Sequence, residues 1–395
     1  MAKLSNIPIA DKNSNLDSGA AFALQKQCRN SRTIQLNSGW EVEVSHRSPY
    51  VVVRAMGLTE QNVTWASHEA AQEGLDLLSA SGTSSGDDDL TIQNSDKDRI
   101  VWWRDKNLKQ FLRIVSIQNF PFSFSTVYGE LQDQFGNAIP RPKAKYHLGL
   151  RYARLARTTS DLFDSYRNMY LALEFLTSSI SPKARESERA WLKRVLTNSI
   201  SIYPDFNPVD SNSIDNIYDI RCSLFHAKNE EMKLIPQRRE DYLKVKENFE
   251  RLEWLVLGLS AVMLNCNRAK SFISLEYFEL QSEKILKNIE VLLSDQDKQF
   301  FDSHLNSEGF APELNSLLSK HMKKASGLCE NGLLSFLASF SSVELKGLSS
   351  ITGFLSKTET PDGKSILTGA YELDTILYPT NLDIFEIQIG MTLNQ

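Results

Sequence analysis

Residues 217–228, IYDIRCSLFHAK, sit near the middle of a 395-residue chain, between two segments of strong helical periodicity. Read as a helix, the stretch places Ile217, Ile220, Leu224 and Phe225 on one apolar arc, with Arg221 projecting from inside it. An arginine there is costly to bury alone, so it is expected to meet an anion, a carboxylate or a partner subunit. His226 projects about 140° away, with Asp219 and Cys222 on its side. One helix therefore does not easily bring both groups to one phosphate, whereas two copies related by a two-fold axis do.

An arginine to hold a phosphate and a histidine to move a proton are the minimum equipment for cutting RNA without a metal. The bare spacing is weak evidence, because an arginine four to six residues before a histidine occurs again at Arg141 and His147, next to a proline and outside any buried setting. Two structural alternatives stay open. Arg221 can pair with Glu174 across a helical bundle, and Cys222 with His226 can supply two zinc ligands, although no second pair accompanies them and no metal site is expected. Glycine loops for phosphates and serine or cysteine nucleophile signatures are absent, and no cofactor is expected.

Helical periodicity extends on both sides. A helix over 160–180, capped by Ser160 or Asp161, buries Leu162, Tyr166, Met169, Leu173, Leu176 and Ile180, with Arg167 and Glu174 at the edge of the stripe. A second, over 184–200, buries Trp191, Leu192, Val195 and Leu196 and ends in the proline-containing stretch 203–208. A long helix over 237–265 buries Tyr242, Val245, Phe249, Leu252, Val256, Leu259 and Met263. With the short motif helix these make an antiparallel bundle over 141–267. Its approach carries Arg141, Lys143, Lys145, Arg151, Arg154 and Arg157 with no acid among residues 141–157. That run is either a track for an RNA backbone or a solvated helix face.

The rest of the chain reads differently. Residues 1–35 are polar and weakly periodic, which predicts a flexible arm. Residues 36–140 predict a β-rich region, with strands at 40–44, 50–55, 100–103, 111–117 and 122–128. A short helix is expected after Ser67, carrying Ala71, Leu75 and Leu78 inward, and the Ser, Gly and Asp-rich segment 79–98 is expected to be a mobile loop. Further helices are expected near 275–293, 312–324 and 333–340 within residues 268–345, and 346–395 returns to strands, clearest at 385–393. The predicted fold class is α+β, a central all-α bundle flanked by β-rich N- and C-terminal regions.

Composition sets outer limits. With 41% hydrophobic and 24% charged residues the chain is globular, and a net charge of −5 excludes a general nucleic-acid coat. Cys28, Cys222, Cys266 and Cys329 are widely spaced with no CxxC, which suits a reducing cytoplasm. No apolar stretch nears the roughly 20 residues that span a bilayer, and no membrane partner is expected.

Residues 170–176, YLALEFL, and 218–228, YDIRCSLFHAK, resemble the HEPN superfamily in order and spacing, over about residues 145–267. The likeness is to larger prokaryotic HEPN proteins, ApeA-like defence proteins among them, in which extra domains flank a helical bundle. The resemblance implies a dimeric, metal-independent endoribonuclease that cleaves RNA by 2′-OH attack, in anti-phage defence or stress response. It implies Arg221 and His226 as catalytic residues; Glu174 is a candidate to orient one of them, Asp219 and Cys222 are candidate auxiliary residues, and Lys228, Arg151, Arg154 and Arg157 are candidate RNA contacts. A trigger or regulatory protein would act on the β-rich regions. Active members often carry Asn, His or Asp after the arginine, where this chain has Cys222. The alternative is a non-catalytic HEPN dimerisation and binding scaffold.

Overall fold

A computed structural model of the chain describes residues 2–10, 17–81, 89–93, 98–119, 143–159, 161–202, 211–225, 234–235, 238–266, 289–295, 317–325, 333–359 and 365–392. In chain order it begins with strands β1 (Lys3–Leu4), β2 (Ile7–Pro8), β3 (Ser18–Ala23), β4 (Arg32–Gln35), β5 (Glu41–Val44) and β6 (Tyr50–Ala55). Helix α1 (Glu60–Ala80) and strands β7 (Asp98–Arg104) and β8 (Gln110–Asn119) follow. Then come helices α2 (Leu148–Thr158), α3 (Leu162–Ile180), α4 (Glu188–Ile202), α5 (Ser211–Phe225) and α6 (Arg239–Leu264). The chain continues with β9 (Glu290–Ser294), β10 (Ser319–His321), β11 (Lys323–Lys324), β12 (Leu333–Ser341), β13 (Ile351–Glu359), β14 (Ser365–Tyr378) and β15 (Ile384–Thr392).

The chain divides into two compact units, Met1–Phe122 with Ile273–Gln395, and Ser123–Phe272. The expected fold class, a helical bundle at the centre with β-rich regions on either flank, is overturned. Among the described residues there are six helices and fifteen strands, with sheets of six and nine strands, and the fold is mixed α+β without helical dominance. The reason is strand pairing between distant parts of the chain. The nine-stranded sheet runs β11-β12-β15-β8-β7-β3-β6-β5-β4, and the six-stranded sheet runs β10-β9-β13-β14-β1-β2. Each combines strands from both ends of the sequence. The join in the larger sheet is β8 against β15, parallel in register from Phe111 with Ile384 to Asn119 with Thr392, while the other pairings are antiparallel.

Period-two alternation explains how the sheets stack. Ala21, Val52, Trp102, Ile114, Phe336 and Ile387 of the larger sheet share one buried cluster with Val291, Leu293, Phe354 and Leu377 of the smaller. The opposite face of the larger sheet, including Phe22, Val42, Val53, Val101 and Val115, packs on Val63, Ala70, Ala71, Leu75 and Leu78 of α1. The result is a layered helix, sheet and sheet. Close approach needs two glycines. A Cβ on Gly74 would lie 2.6 Å from the Val42 side chain, and one on Gly19 would lie 2.1 Å from the Val53 carbonyl oxygen.

Several local expectations are corrected here. The supposed arm is docked: Leu4, Ile7 and Ile9 are buried, and the Pro8 carbonyl accepts from Arg54 Nε at 2.8 Å. Strand β3 was hidden because SGAAFA is buried on both faces and so lacks alternation. Helix α1 starts at Glu60 rather than after Ser67, which is buried mid-helix. Its first turn is fixed by Asn62 Oδ1, which accepts from the Thr59 N–H at 2.8 Å. In the segment 79–98, residues 82–88 and 94–97 lie outside the described residues, but Leu90 and Ile92 are buried, and Ile92 bridges to Leu24. Within 268–345, the described parts of the expected helices are strands β9 to β12. In β12 both periods are present, and burial of Leu334, Phe336, Ala338 and Phe340 on one face selects the strand. The expected strand at 122–128 lies outside the described residues.

The parallel join is pinned by buried polar groups. Gln110 N–H donates to Asp383 Oδ2 at 2.8 Å, and Asp383 N–H returns a bond to the Gln110 carbonyl at 3.0 Å. Arg113 lies opposite Glu386, donates to Glu386 Oε2 from Nε at 2.8 Å, pairs with Glu60 at 2.6 Å, and sits 4.8 Å above the Trp103 ring. Both Arg113 and Glu386 are over nine-tenths buried, so removing one partner leaves a buried charge unmet. Arg113→Ala is expected to cost about 3–5 kcal/mol in urea unfolding. Replacing the pair together by Met and Leu is expected to recover most of it, and equal losses in both variants would refute the pinning.

Candidate functional site

The helical unit has its own core, in which Tyr166, Met169, Leu173 and Leu176 of α3 meet Trp191, Leu192 and Val195 of α4, Ile217 and Ile220 of α5, and Val245, Leu252 and Val256 of α6. Asp161 caps α3 by accepting the Asp164 N–H at 2.8 Å. His147 caps α2 in the same way, its Nδ1 accepting from Gly149 at 3.1 Å. These caps fix the rotation of both helices and so the faces they present.

Three residues one turn apart on α3, Tyr166, Tyr170 and Glu174, form a polar ladder along one face. Tyr166 donates to the Ile217 carbonyl at 2.9 Å, tying α3 to α5 one turn before Arg221. Tyr170 donates to Glu188 at 3.0 Å. Arg221 reaches across from α5, its Nη2 lying 3.3 Å from Glu188 and 3.8 Å from Glu174. Its guanidinium lies 5.5 Å from the Tyr170 ring centroid and 5.1 Å from that of Phe225. The motif arginine therefore meets carboxylates between two aromatic rings.

The electrostatics follow from placing two acids beside one base in a half-buried setting. Burial, with a hydrogen bond to Glu188 and the charge of Glu188, pushes the Glu174 carboxyl up to about 7, against the opposing pull of Arg221. Burial disfavours the Arg221 cation, but Glu188 and Glu174 override it and hold its pKa above the ordinary arginine value. Tyr170 is raised by burial and by Glu188 and Glu174. Tyr218 is pushed up to about 12 by its hydrogen bond to Cys222, then by burial. Cys222 thus touches the arginine neighbourhood through Tyr218 as well as by chain adjacency.

The site residues named from sequence fall into three groups. Arg221 and Glu174 are together, with Cys222 adjoining them. Asp219 is held instead by Arg189 of α4, whose guanidinium also lies 4.9 Å from the Tyr218 ring centroid. Arg151 and Arg154 are exposed on α2, while Arg157 is engaged by Glu253 at 2.7 Å. His226 and Lys228 lie outside the described residues. The chain leading to them is positioned by Arg167, which donates to the Leu224 carbonyl at 3.1 Å and lies over Phe225.

Two residues of the cluster escaped sequence reasoning. Tyr170 carried a signal, since it stands one turn from Glu174 on the same face. Glu188 carried only the weak one of an acid in the first turn of a helix. Among the described residues no group of three or more His, Cys, Asp or Glu side chains is arranged to hold a metal ion, and no helix is long and apolar enough to cross a membrane. No protein family, curated protein or solved structure matches this chain.

The raised Glu174 carboxyl has a consequence for stability. Between the ordinary carboxylate value and about 7, the folded chain binds the proton that the unfolded chain has lost. This contribution is full below that window and disappears as pH rises through it. Thermal unfolding of the full chain is expected to show a falling midpoint from pH 5 to 7.5, and Glu174→Gln is expected to flatten that slope. An unchanged slope in the variant would count against the assignment.

Proposed function

We propose that this chain is a metal-independent endoribonuclease of the HEPN type, working as a homodimer that brings together two copies of the motif containing Arg221 and His226. The observation that carries the reading is Arg221 within 3.8 Å of both Glu188 and Glu174, with a carboxyl beside it that titrates at about 7. That combination supplies a cation for a phosphate and a group able to exchange a proton at neutral pH.

In the reaction, the RNA 2′-OH attacks the adjacent phosphorus and the 5′-oxygen of the next nucleotide leaves. The products carry a 2′,3′-cyclic phosphate and a 5′-OH. Arg221 offsets the charge that builds on the phosphorane, and His226 transfers the proton. Glu174 orients Arg221. Lys228, Arg151 and Arg154 contact the RNA backbone. The two-sheet unit receives the trigger or a regulatory protein, in anti-phage defence or a stress response. The setting is the cytoplasm, a reading supported by four widely spaced cysteines with no CxxC in the sequence.

Two observations favour a second reading, a non-catalytic dimerisation and binding scaffold. Two carboxylates already meet the charge of Arg221, and Cys222 follows it where active HEPN proteins often have Asn, His or Asp. Purified full-length protein incubated with end-labelled RNA in EDTA divides the two. The nuclease reading expects cyclic-phosphate ends, with a loss of about 100-fold or more in His226→Ala at unchanged oligomeric state and melting temperature. Intact RNA with the wild-type dimer, in EDTA and in magnesium alike, supports the scaffold.

A further inference from the structure

Glu188 stands where a substrate phosphate would have to be. It is the first residue of α4, whose opening turn is marked by Ser187 Oγ accepting the Ala190 N–H at 3.2 Å. A carboxylate there is favoured by the unpaired N–H groups of the helix start. Tyr170 fixes one of its oxygens at 3.0 Å, and the other oxygen lies 3.3 Å from Arg221. The charge count makes the placement consequential. One guanidinium faces two carboxylates, so with both ionised the cluster carries a net negative charge and opposes a phosphodiester. Glu174 reduces that opposition when it takes up a proton, which burial and the hydrogen bond and charge of Glu188 favour by raising it to about 7. The titratable and charged groups facing this centre include Tyr170 from α3, Glu188 from α4, and Tyr218 and Cys222 from α5.

We propose that Glu188 is a positioning residue that occupies Arg221 as an intramolecular stand-in for phosphate, and that an incoming phosphodiester displaces it. The proposal rests on the reading of Arg221 as the phosphate-holding group. It makes the resting arrangement self-inhibited and assigns Tyr170 the task of holding Glu188 in place. Proton uptake by Glu174 then eases the exchange, because it lowers the negative charge around Arg221.

The probe is a fluorescent 2′-O-methyl oligoribonucleotide, which presents the phosphodiester but has no 2′-OH with which to be cleaved. With the full chain at pH 7.5, Glu188→Gln is expected to bind it about tenfold more tightly than wild type, in keeping with loss of one competing charge-assisted contact. Tyr170→Phe, which leaves the charge count unchanged, is expected to give a smaller gain of about threefold. Both gains should vanish when Arg221→Ala is added. Carbon NMR of the Glu174 carboxyl supplies a readout that needs no nucleic acid: its titration is expected to fall from about 7 toward the ordinary carboxylate range in Glu188→Gln. Equal or weaker binding by Glu188→Gln, a gain that persists without Arg221, no binding by either protein, or an unmoved Glu174 titration would each overturn the proposal. Cleavage of unmodified RNA is scored separately. Tighter binding without cleavage refutes the nuclease and leaves Glu188 in its role, whereas cleavage without the binding gain does the reverse.

Discussion

The parallel pairing of β8 with β15 is the constraint on which the larger unit depends. It joins residues 111–119 to residues 384–392, in register without a break. Without it the nine-stranded sheet would break between β8 and β15, and the inner face that packs on the six-stranded sheet would be divided. Arg113, Glu386 and the bonds between Gln110 and Asp383 hold that register with directional contacts. Apolar packing alone would not fix it, because a slip of two residues keeps every side chain on its own face.

In the helical unit a comparable economy operates around Arg221. Burial makes an unpartnered arginine costly, and the chain answers with two carboxylates and two aromatic rings. The answer overshoots, since two acids beside one base cannot both ionise freely. The surplus is absorbed as a proton retained near neutral pH. The same contacts that make the arginine tolerable in a helical core also make the cluster responsive to protons.

How far the sequence could be read depended on whether one face or two faces of an element are buried. Helix α3 exposes one side, so its 3.6-residue stripe was legible, as was a cap at Ser160 or Asp161, of which Asp161 is the one observed. The alternation at 385–393 likewise marks the strand observed as β15. Strand β3 has small residues buried on both sides, and β12 combines the two periods, so neither declared itself locally. Their identity comes from partners far along the chain. The place of Arg221 within an apolar arc was legible, and so was its approach to Glu174. Glu188 was not, because its meeting with Arg221 depends on how α4 packs against α3 and α5, and no periodicity in one segment encodes that.

The closure by β15 also bears on how the chain is made. A ribosome delivers β8 before the whole helical unit and β15 well after it. At roughly 5–20 residues per second, the edge of β8 waits on the order of tens of seconds for its neighbour. During that interval its backbone N–H and C=O groups are an open template, able to recruit a strand from another chain. The helical unit, whose contacts are nearer in sequence, has time to form while the sheet stands incomplete. Arg113, which also pairs with Glu60, puts on that waiting edge the kind of charged residue that disfavours addition of a foreign strand.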